Sequence, residues 1–541
     1  MNAPITTYTP SHNIRIITAT SLFDGHDAST NIMRRILQDS GVEVIHLAHN
    51  RSVQELVDTA IEEDAQGIAM SSYQGGHMES FKYMIDLLKE RGASHIKVFG
   101  GGGGVIVADE IAELEAYGVT KIYSPEDGAT MGLQGMANHM IEQMDFSTID
   151  HHDLDPASLH VKNRNELAGF ITAMQQAKAT DQQRLQQLTA AIGPLAAAHN
   201  PPVVGITGTG GAGKSSLTDE IIVRFLHDIK DIDICVICCD PSRRKTGGAL
   251  LGDRIRMNSI SNSERVYLRS LATRDSANEV SEALPEAIMV AKAAGFDLII
   301  AETAGIGQGD SKITDLADIS IYVMTSDYGA PSQLEKIDML DYADLIVVNK
   351  FEKKGSDDAI RDIRKQVQRN RKAWDSKPET FPVYGTIASK FNDDGVSALY
   401  HGIVELLQEK TSFGFSPALA KPEGKVSSSK TIVIPAERIR YMAEISETIR
   451  NYHTSSAAQS AKISLRHHLL KSGEMLAALD DDRAAPSAAL LVEQAELLSA
   501  AIDNDSETLL QDWQEIKEAY SGDELVYQVR GREVRVPLYT T

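Results

Sequence analysis

Cysteine is almost absent from this chain of 541 residues, and its three cysteines, Cys235, Cys238 and Cys239, lie in one short apolar run. Cys235 and Cys238 have the C-x-x-C spacing of redox and metal sites. Successive side chains of a strand point to opposite faces, however, so Cys238 would point away from the other two. We therefore predict buried strand residues and neither a redox pair nor a metal clamp.

Basic residues and long apolar runs are also scarce. The chain has 53 Lys and Arg against 76 Asp and Glu, a net charge of −23 that would repel a nucleic-acid backbone. It has no run of about 18 apolar residues, the length that crosses a membrane, and its first residues lack the basic and apolar regions of a signal peptide. We expect a cytoplasmic protein without nucleic-acid or membrane partners.

Alternating strand-like and helical patterns fill two long stretches, from about residue 14 to 145 and from 201 to 416. This alternation is typical of right-handed βαβ units on a parallel sheet, so the predicted fold class is α/β. At about 150 residues per domain, the length suggests three or four domains. We divide the chain into residues 1–146, a helical linker over 147–200, residues 201–416 and a mostly helical segment over 417–541.

A glycine-rich motif stands at the start of the second stretch. The run from Gly208 to Ser215 has the G-x-x-x-x-G-K-S spacing of a phosphate-binding loop, with a strand-like run before it and an amphipathic helical pattern after it. In such loops, backbone N–H groups surround the phosphates, the lysine reaches the β- and γ-phosphates, and the serine hydroxyl binds Mg²⁺. The predicted contacts are Gly208, Gly210, Gly211, Ala212, Gly213, Lys214, Ser215 and Ser216.

Carboxylates follow other strands of the same stretch. Asp240, Asp253 and Glu302 come at or near the ends of β-type runs, and ligands of α/β sheets bind at the carboxyl ends of strands. Oxygen ligands suit Mg²⁺. The predicted magnesium ligands are Ser215, Asp240, Asp253, Glu302 and Thr303.

Three segments resemble the nucleotide-binding motifs of G proteins. Asn349-Lys350-Phe-Glu352 resembles their guanine-binding motif, with Glu in place of Asp, and the segment 386–390 resembles the loop whose amides meet the guanine oxygen. Glu302 to Gly305 resembles the D-x-x-G switch segment. This resemblance adds the nucleotide contacts Gly305, Asn349, Lys350, Glu352 and Ser389. Arg256, in the segment that carries Asp253, could reach the nucleotide phosphates, and the predicted catalytic residues are Lys214 of the phosphate-binding loop and Gln308, the latter to position water.

Together these segments resemble the metallochaperone branch of P-loop GTPases, the family that escorts cobalamin to acyl-CoA mutases. The match spans about residues 200 to 416. It implies that the nucleotide is GTP or GDP, bound with Mg²⁺.

The first stretch resembles a cobalamin-binding domain. Asp24-Gly25-His26 follows its first strand and resembles the family motif D-x-H-x-x-G, with Ser29 in place of the last glycine. In that family the His is the lower ligand of cobalt, the Asp orients it, and small residues line a slot for the displaced nucleotide tail. The resemblance implies a flavodoxin-like, doubly wound domain with contacts at Asp24, His26, Ser71, Tyr73, Gly101 and Gly102, and His26 on cobalt.

The order of these parts resembles the N-terminal half of the fused isobutyryl-CoA mutases. The resemblance implies adenosylcobalamin as cofactor, a GTPase that acts as chaperone for cofactor loading and, with an acyl-CoA-binding barrel, radical interconversion of isobutyryl-CoA and n-butyryl-CoA. No barrel sequence follows Thr541, so we expect a fragment or one half of a split enzyme. The expected partners are that barrel in cis or in trans, a cobalamin adenosyltransferase and a second copy of the chain in a homodimer.

Two alternatives stay open at this point. In the first, the chain is a non-catalytic cobalamin-binding module in which the nucleotide is only a conformational signal, and it would not turn over GTP. In the second, the phosphate-binding loop belongs to a small-molecule kinase, which would consume nucleotide only when a phosphate acceptor is present.

Overall fold

The computed structural model describes residues 6–243, 245–260, 263–274, 280–305, 311–329, 331–428, 441–529 and 532–538. The chain divides into two units, Met1–Thr431 and Ile432–Thr541. Among the described helices, none combines the length and the apolar character that a membrane crossing requires.

Strands and helices alternate through the first part of the first unit, as the sequence predicts. They are β1 (Arg15–Thr20), α1 (Ala28–Asp39), β2 (Glu43–His46), α2 (Val53–Glu62), β3 (Gly67–Ser71), α3 (His77–Glu90), β4 (Lys97–Gly101), α4 (Ala108–Tyr117), β5 (Lys121–Tyr123) and α5 (Pro125–Met144). The strands are parallel, in the order β5-β4-β3-β1-β2. This is the strand order of a flavodoxin-like, doubly wound sheet, so that prediction is confirmed. We call this part the first domain.

A second parallel sheet follows and carries the phosphate-binding loop between its first strand and the next helix. The elements are α6 (Arg164–Thr180), α7 (Gln182–His199), β6 (Val203–Gly208), α8 (Lys214–Asp228), β7 (Ile234–Asp240), β8 (Ala249–Leu251), α9 (Asp253–Arg256), β9 (Val266–Ala272), α10 (Leu284–Ala294), β10 (Leu298–Glu302), α11 (Ile313–Leu316), β11 (Ile319–Met324), α12 (Pro331–Leu334), α13 (Met339–Tyr342), β12 (Leu345–Asn349), α14 (Ser356–Asn370), β13 (Val383–Thr386) and α15 (Asp394–Lys410). The sheet order is β13-β12-β11-β6-β10-β7-β9. We call the part from β6 to α15 the second domain, and it confirms the α/β class.

The helices α6 and α7 pack on the second domain, although the sequence suggests a linker. Phe170, Met174 and Ile192 lie in one hydrophobic core with Cys235 and Phe296 of the second domain. Because Gln and Ala are abundant in α6 and α7, their sequence does not reveal this packing. A buried apolar face of this kind indicates that α6 and α7 are a structural layer rather than a free connection.

The three cysteines are buried and free, as predicted. Burial raises the pKa of the Cys239 thiol to about 12. A thiol with such a pKa carries almost no thiolate near neutral pH, which makes it a poor nucleophile and a poor metal ligand.

A strand from the second stretch of sequence completes the sheet of the first domain. The short strand β8 pairs in parallel with β2, with Glu43 opposite Ala249 and Val44 opposite Leu250. The approach is close, because a Cβ on Gly248 would overlap the carbonyl oxygen of Gln38. Three residues of the stretch 201–416 therefore belong to the sheet of the first domain.

A buried ionic network at the carboxyl end of α2 joins the two domains. Three consecutive acidic residues there, Glu62, Glu63 and Asp64, are only 3%, 0% and 5% exposed. Arg254 donates a hydrogen bond of 2.6 Å to Glu62, and the Ser270 amide donates one of 3.0 Å to Glu63. Burying a polar group without a partner costs on the order of 2–7 kcal/mol, and burying an unpaired charge costs more. The burial of Glu62 and Glu63 in the first domain therefore depends on these partners from the second domain.

Asp64 extends the network to the segment after α5. His152 Nε2 donates to an Asp64 carboxylate oxygen over 2.9 Å, and the Thr148 hydroxyl donates to the other over 2.6 Å. Burial alone would raise the pKa of Asp64, but these hydrogen bonds outweigh it and hold the pKa below its usual value. For His152, burial alone would lower the pKa, yet the Asp64 carboxylate raises it above the usual value.

The second unit is helical and ends in a hairpin. Its helices are α16 (Tyr441–Ala477), α17 (Ala484–Ser499), α18 (Asn504–Gln511) and α19 (Trp513–Ala519), and its strands are β14 (Glu524–Val529) and β15 (Arg532–Pro537). The two strands pair antiparallel, with Leu525 opposite Val536.

Replacing Gly248 with alanine is expected to lower the free energy of unfolding by about 1–3 kcal/mol, because the new Cβ would overlap a backbone oxygen in a well-packed region. Urea unfolding followed by circular dichroism measures this change. Gly75→Ala is the matched control, since a Cβ there meets no atom within 4 Å. Equal unfolding curves for the two variants would contradict the pairing of β8 with the first sheet.

The His152–Asp64 pair is expected to stabilise the fold less as the pH rises. The raised pKa of His152 means that its stabilisation is fully present below the unfolded value of about 6.5 and is lost as the pH rises through the folded pKa. The difference in unfolding free energy between the wild type and His152→Gln should therefore shrink from pH 6 to pH 9.

Two other histidines do not disturb this comparison. Burial lowers the pKa of His46 and of His95 to about 4, so their titration affects stability only below the unfolded value of about 6.5. A difference between the wild type and His152→Gln that stays constant across the range would show that His152 is not charged in the folded protein.

Candidate functional site

Asp24 and His26 form an ordered pair on the loop after β1. The His26 Nδ1 atom lies 2.7 Å from Asp24 Oδ1, and the Tyr73 amide donates to Asp24 Oδ2 over 2.5 Å. Burial alone would raise the pKa of Asp24, but the amide and ring hydrogen bonds lower it, so Asp24 is a carboxylate. This acceptor holds the proton on Nδ1 and leaves the lone pair on Nε2. The His26 side chain is 65% exposed, so its Nε2 atom is accessible to a metal ion.

A cavity of about 350 Å³ lies beside this pair at the carboxyl edge of the first sheet. The predicted residues Ser71, Tyr73, Gly101 and Gly102 all line it, and the rings of Tyr73 and His26 are 5.4 Å apart. The structure therefore brings the predicted cobalamin contacts together. The largely apolar space can accept the aromatic base of a displaced nucleotide tail.

Ser29 replaces the last glycine of the family motif without strain. It lies in the first turn of α1 and lines the same cavity. A helical backbone suits serine, so the positive φ that would require glycine is not needed at this position.

The residues that form the apolar walls of the cavity could not be identified from the sequence. The helices α1 and α5 contribute Met33, Leu37, Met136 and Met140, and β4 contributes Phe99. Their helical spacing is visible in the sequence, but any helix that packs on a sheet has the same spacing. Only the position of the two helices shows that these side chains face a cavity.

The phosphate-binding loop has the geometry that its motif predicts. The helix α8 begins at Lys214, and Gly213 precedes it with a φ of +89°. A Cβ on Gly213 would lie 2.6 Å from the Asn349 side-chain nitrogen, so only glycine fits. The buried Lys214 ammonium donates to the Gly208 carbonyl over 3.1 Å. An anion in this loop would meet the helix N-terminus and the lysine together.

Carboxylates converge on the Ser215 hydroxyl. Its oxygen lies 2.9 Å from Asp253 Oδ1 and 2.8 Å from Glu302 Oε1. Burial and the nearby Asp253 charge raise the pKa of Glu302 to about 7, and the same two causes raise the pKa of Asp240 well above its usual value. This local excess of negative charge is what a bound divalent cation would neutralise.

The residues present fit Mg²⁺ bound together with a nucleotide. Within the described residues, no group of three or more His, Cys, Asp and Glu forms a metal cage. Mg²⁺ commonly uses one or two protein oxygens together with water and phosphate oxygens, so a cage is not required. A second cavity, of about 360 Å³ and here called the nucleotide cavity, is lined by Thr303, whose hydroxyl lies 2.8 Å from that of Thr207. The Thr218 hydroxyl donates to Glu302 over 3.0 Å.

Thr218 is a member of this cluster that sequence reasoning missed. It stands one helical turn after Lys214 on α8, and side chains four positions apart share a helix face. That spacing could have suggested its position, although nothing in the motif marks it.

Asn349 ties the phosphate-binding loop to the predicted base-binding loop. Its side-chain nitrogen donates to the Ala212 carbonyl over 2.8 Å, and its side-chain oxygen accepts from the Ala388 amide over 3.2 Å. Lys350 lines the nucleotide cavity, whereas Glu352 and Ser389 are exposed and do not line it.

Most of the remaining predicted nucleotide and magnesium contacts line the same cavity, whereas Gly208 and Ala212 do not and accept hydrogen bonds from Lys214 and Asn349 through their carbonyl oxygens. Gly210, Gly211, Gly213, Lys214, Ser215, Ser216, Asp240, Asp253, Arg256 and Glu302 also line the cavity. Gly305 lies against Lys214, since a Cβ on this glycine would overlap the ammonium nitrogen. Gln308 falls in 306–310, outside the described residues.

Two family matches cover most of the first unit. The family described as methylmalonyl-CoA mutase-associated GTPase MeaB matches residues 167–434, and the B12-binding domain matches residues 14–132. The GTPase match begins within α6, in agreement with the packing of that helix on the second domain.

Relatives with the same combination of domains match the chain over nearly its full length. A fused isobutyryl-CoA mutase of Cupriavidus metallidurans is 52% identical over 98% of this chain and 48% of its own length. A protein of the same name from Geobacillus kaustophilus is 52% identical over 98% of this chain and 49% of its own length. The chain therefore spans about half the length of the curated relatives it matches.

A shorter relative matches the GTPase part. A protein of Pyrococcus abyssi named as a candidate GTPase is 34% identical over 45% of this chain and 72% of its own length. The chain therefore belongs to the family of MeaB-type GTPases, joined to a B12-binding domain in the combination that it shares with the fused isobutyryl-CoA mutases.

Proposed function

We propose that this chain is the cobalamin-binding and GTP-hydrolysing part of an acyl-CoA mutase that interconverts isobutyryl-CoA and n-butyryl-CoA. The GTPase would act as a chaperone for cofactor loading. The observation that carries the proposal is the ordered Asp24–His26 pair beside an apolar slot, in the same unit as a complete phosphate-binding site. The 52% identity to fused isobutyryl-CoA mutases supports the choice of substrate.

In the first domain, His26 would bind cobalt through Nε2. Asp24 accepts the hydrogen bond from Nδ1, which fixes the ring and increases its basicity. The slot lined by Ser71, Gly101 and Gly102 would take up the nucleotide tail of the cofactor. Adenosylcobalamin, when bound, supplies the radical that starts the carbon-skeleton rearrangement.

In the second domain, Lys214 would hold the β- and γ-phosphates, and Ser215 with Asp253 and Glu302 would hold Mg²⁺. Arg256 lies beside them, 3.3 Å from Ser215 through its Nε, and would balance charge that develops on the phosphates. Asn349 would keep the phosphate loop and the base-binding loop at a fixed distance.

Further proposals rest on the resemblance to the fused mutases. We propose that residues 1–146 bind the cofactor and residues 201–416 bind the nucleotide, with α6 and α7 packed on the latter. The chain would work in the cytoplasm with an acyl-CoA-binding barrel, in cis or in trans, as a homodimer that receives its cofactor from a cobalamin adenosyltransferase.

His26→Ala is expected to weaken adenosylcobalamin binding by at least about 10-fold, since even the loss of an outer partner of a metal ligand costs 10–100-fold. Titration followed by visible absorption measures the affinity, and the wild type should show the spectrum of a histidine-bound cofactor. His12→Ala is the matched control, because His12 lies just before β1, at the opposite edge of the sheet. Equal affinities and spectra for both variants would rule out His26 as the cobalt ligand.

Lys214→Ala is expected to slow GTP hydrolysis by about 10²–10³-fold, the loss typical of removing one charge-stabilising donor. Phosphate release from GTP without any added acceptor measures the activity. Lys230→Ala, which removes an exposed lysine after α8, should hydrolyse GTP like the wild type. A wild type that binds GTP but never turns it over would favour the non-catalytic module, and turnover only with an acceptor would favour a kinase.

A further inference from the structure

One short segment belongs to both domains. Residues 249–258, which we call the connector, begin with β8 in the first sheet and continue into α9 beside the nucleotide cavity. Between these elements, the Gly252 amide donates to Asp240 over 2.9 Å. The ten residues therefore run from the cobalamin-binding domain to the predicted magnesium site without an intervening loop.

Successive residues of α9 face different sites. Asp253 contacts Ser215 in the nucleotide cavity, over 2.9 Å. Arg254, the next residue, donates to Glu62 over 2.6 Å and lies 3.5 Å from a Glu63 oxygen in the first domain. The residue in the nucleotide cavity and the residue paired with the first domain are therefore adjacent in the chain.

The far end of the connector contacts the loop that supports the cobalt ligand. Arg51 donates through Nη2 to Asn258 Oδ1 over 3.0 Å and through Nε to the Leu47 carbonyl over 2.8 Å. The neighbouring Asn50 accepts a hydrogen bond of 2.8 Å from the Phe23 amide. Phe23 directly precedes Asp24, so two side chains connect Asn258 to the loop of His26.

Three residues with a strained backbone lie on this route. Phe23, Ala48 and Asn50 have φ values of +63°, +60° and +60°. A residue other than glycine in this region costs on the order of 1–3 kcal/mol and stays there only where its surroundings hold it. The Asn50–Phe23 hydrogen bond is part of what holds this loop, so its loss would release strain next to Asp24.

We propose that the connector couples the nucleotide site to the cobalamin site, through Arg254 on Glu62 and Glu63 and through Asn258 on Arg51. Magnesium and nucleotide at Asp253 would reposition the connector, and Arg51 and Asn50 would pass that change to the His26 loop. In this arrangement Arg51, Arg254 and Asn258 are positioning residues, because none of them lines either cavity. The inference rests on the proposed function, since it assumes that both ligands bind.

Coupling of this kind has a thermodynamic signature. If a GTP analogue changes the affinity for cobalamin by some factor, cobalamin must change the affinity for the analogue by the same factor. Typical couplings are about 5–150-fold. A residue that only stabilises the fold has no reason to change this factor while both separate affinities survive.

The experiment measures that factor for the full chain. Adenosylcobalamin is titrated with and without a non-hydrolysable GTP analogue and Mg²⁺, and the analogue is titrated with and without adenosylcobalamin. We expect a factor of at least about 5 in the wild type and a factor within about 2 of unity in Arg51→Ala, with each separate affinity changed less than about 3-fold. Arg91→Ala, which removes another partly exposed arginine of the first domain, should keep the wild-type factor.

Two further variants cover the case in which Arg51→Ala disturbs folding or cobalamin binding. Asn258→Ala removes the other half of the contact from the side of the second domain, and Arg254→Lys keeps the buried charge but loses the planar fork toward Glu62 and Glu63. Both should also bring the factor close to unity.

Each possible result either supports or overturns the coupling route. A wild-type factor of unity, or a factor that survives in Arg51→Ala, Asn258→Ala and Arg254→Lys as it does in Arg91→Ala, overturns the coupling route. Failure of the wild type to bind adenosylcobalamin or the GTP analogue at all would instead overturn the proposed function, so the two failures are distinguishable.

Discussion

The burial of Glu62, Glu63 and Asp64 is the constraint on which the rest of the first unit depends. Three adjacent carboxylates at the end of one helix can leave water only if cations and amides from elsewhere meet them. Arg254 and Ser270 of the second domain and His152 of the segment between the domains provide those partners. A buried ion pair adds little to stability compared with apolar packing, but removing one partner costs about 3–5 kcal/mol. The network therefore mainly fixes the relative position of the two domains, since other placements would leave buried charge unpaired.

The nucleotide site also contains buried carboxylates, but there the protein does not balance their charge. Asp240, Asp253 and Glu302 lie close together without enough basic partners, and the pKa values of Asp240 and Glu302 are raised because burial disfavours each charge and the neighbouring carboxylates oppose it. In the domain interface, arginines complete the charge balance within the protein. In the cavity, the balance is left to a cation and a ligand, which is what distinguishes a binding site from a structural network.

The parts of the fold and of the candidate site that could be predicted from the sequence are those that depend on local motifs. The strand alternation, the phosphate-binding loop and the Asp24–His26 pair depend on residues close together in the chain, and their geometry agrees with the prediction. The position of β8 could not be predicted, because a three-residue strand has no periodicity to detect and its partner β2 is about 200 residues away. The buried acidic run is equally hidden, since Glu-Glu-Asp at a helix end is normally a solvated surface.

The same distinction applies to the function. Residues that carry out chemistry sit on loops after strands, where a few side chains in sequence order suffice to hold a metal ion or a phosphate. Residues that relate one site to the other, such as Arg51, Arg254 and Asn258, lie in no motif and are recognisable only once both sheets are in place. The connector supplies a strand to one domain and a predicted magnesium ligand to the other, so a cut between the two domains separates β8 from its partner strand β2. The first domain on its own would lose the sixth strand of its sheet and Arg254 as a partner of Glu62, and the second domain on its own would leave β8 without its partner strand β2. Joining the domains in one chain therefore contributes to the architecture of both sites as well as keeping them close together.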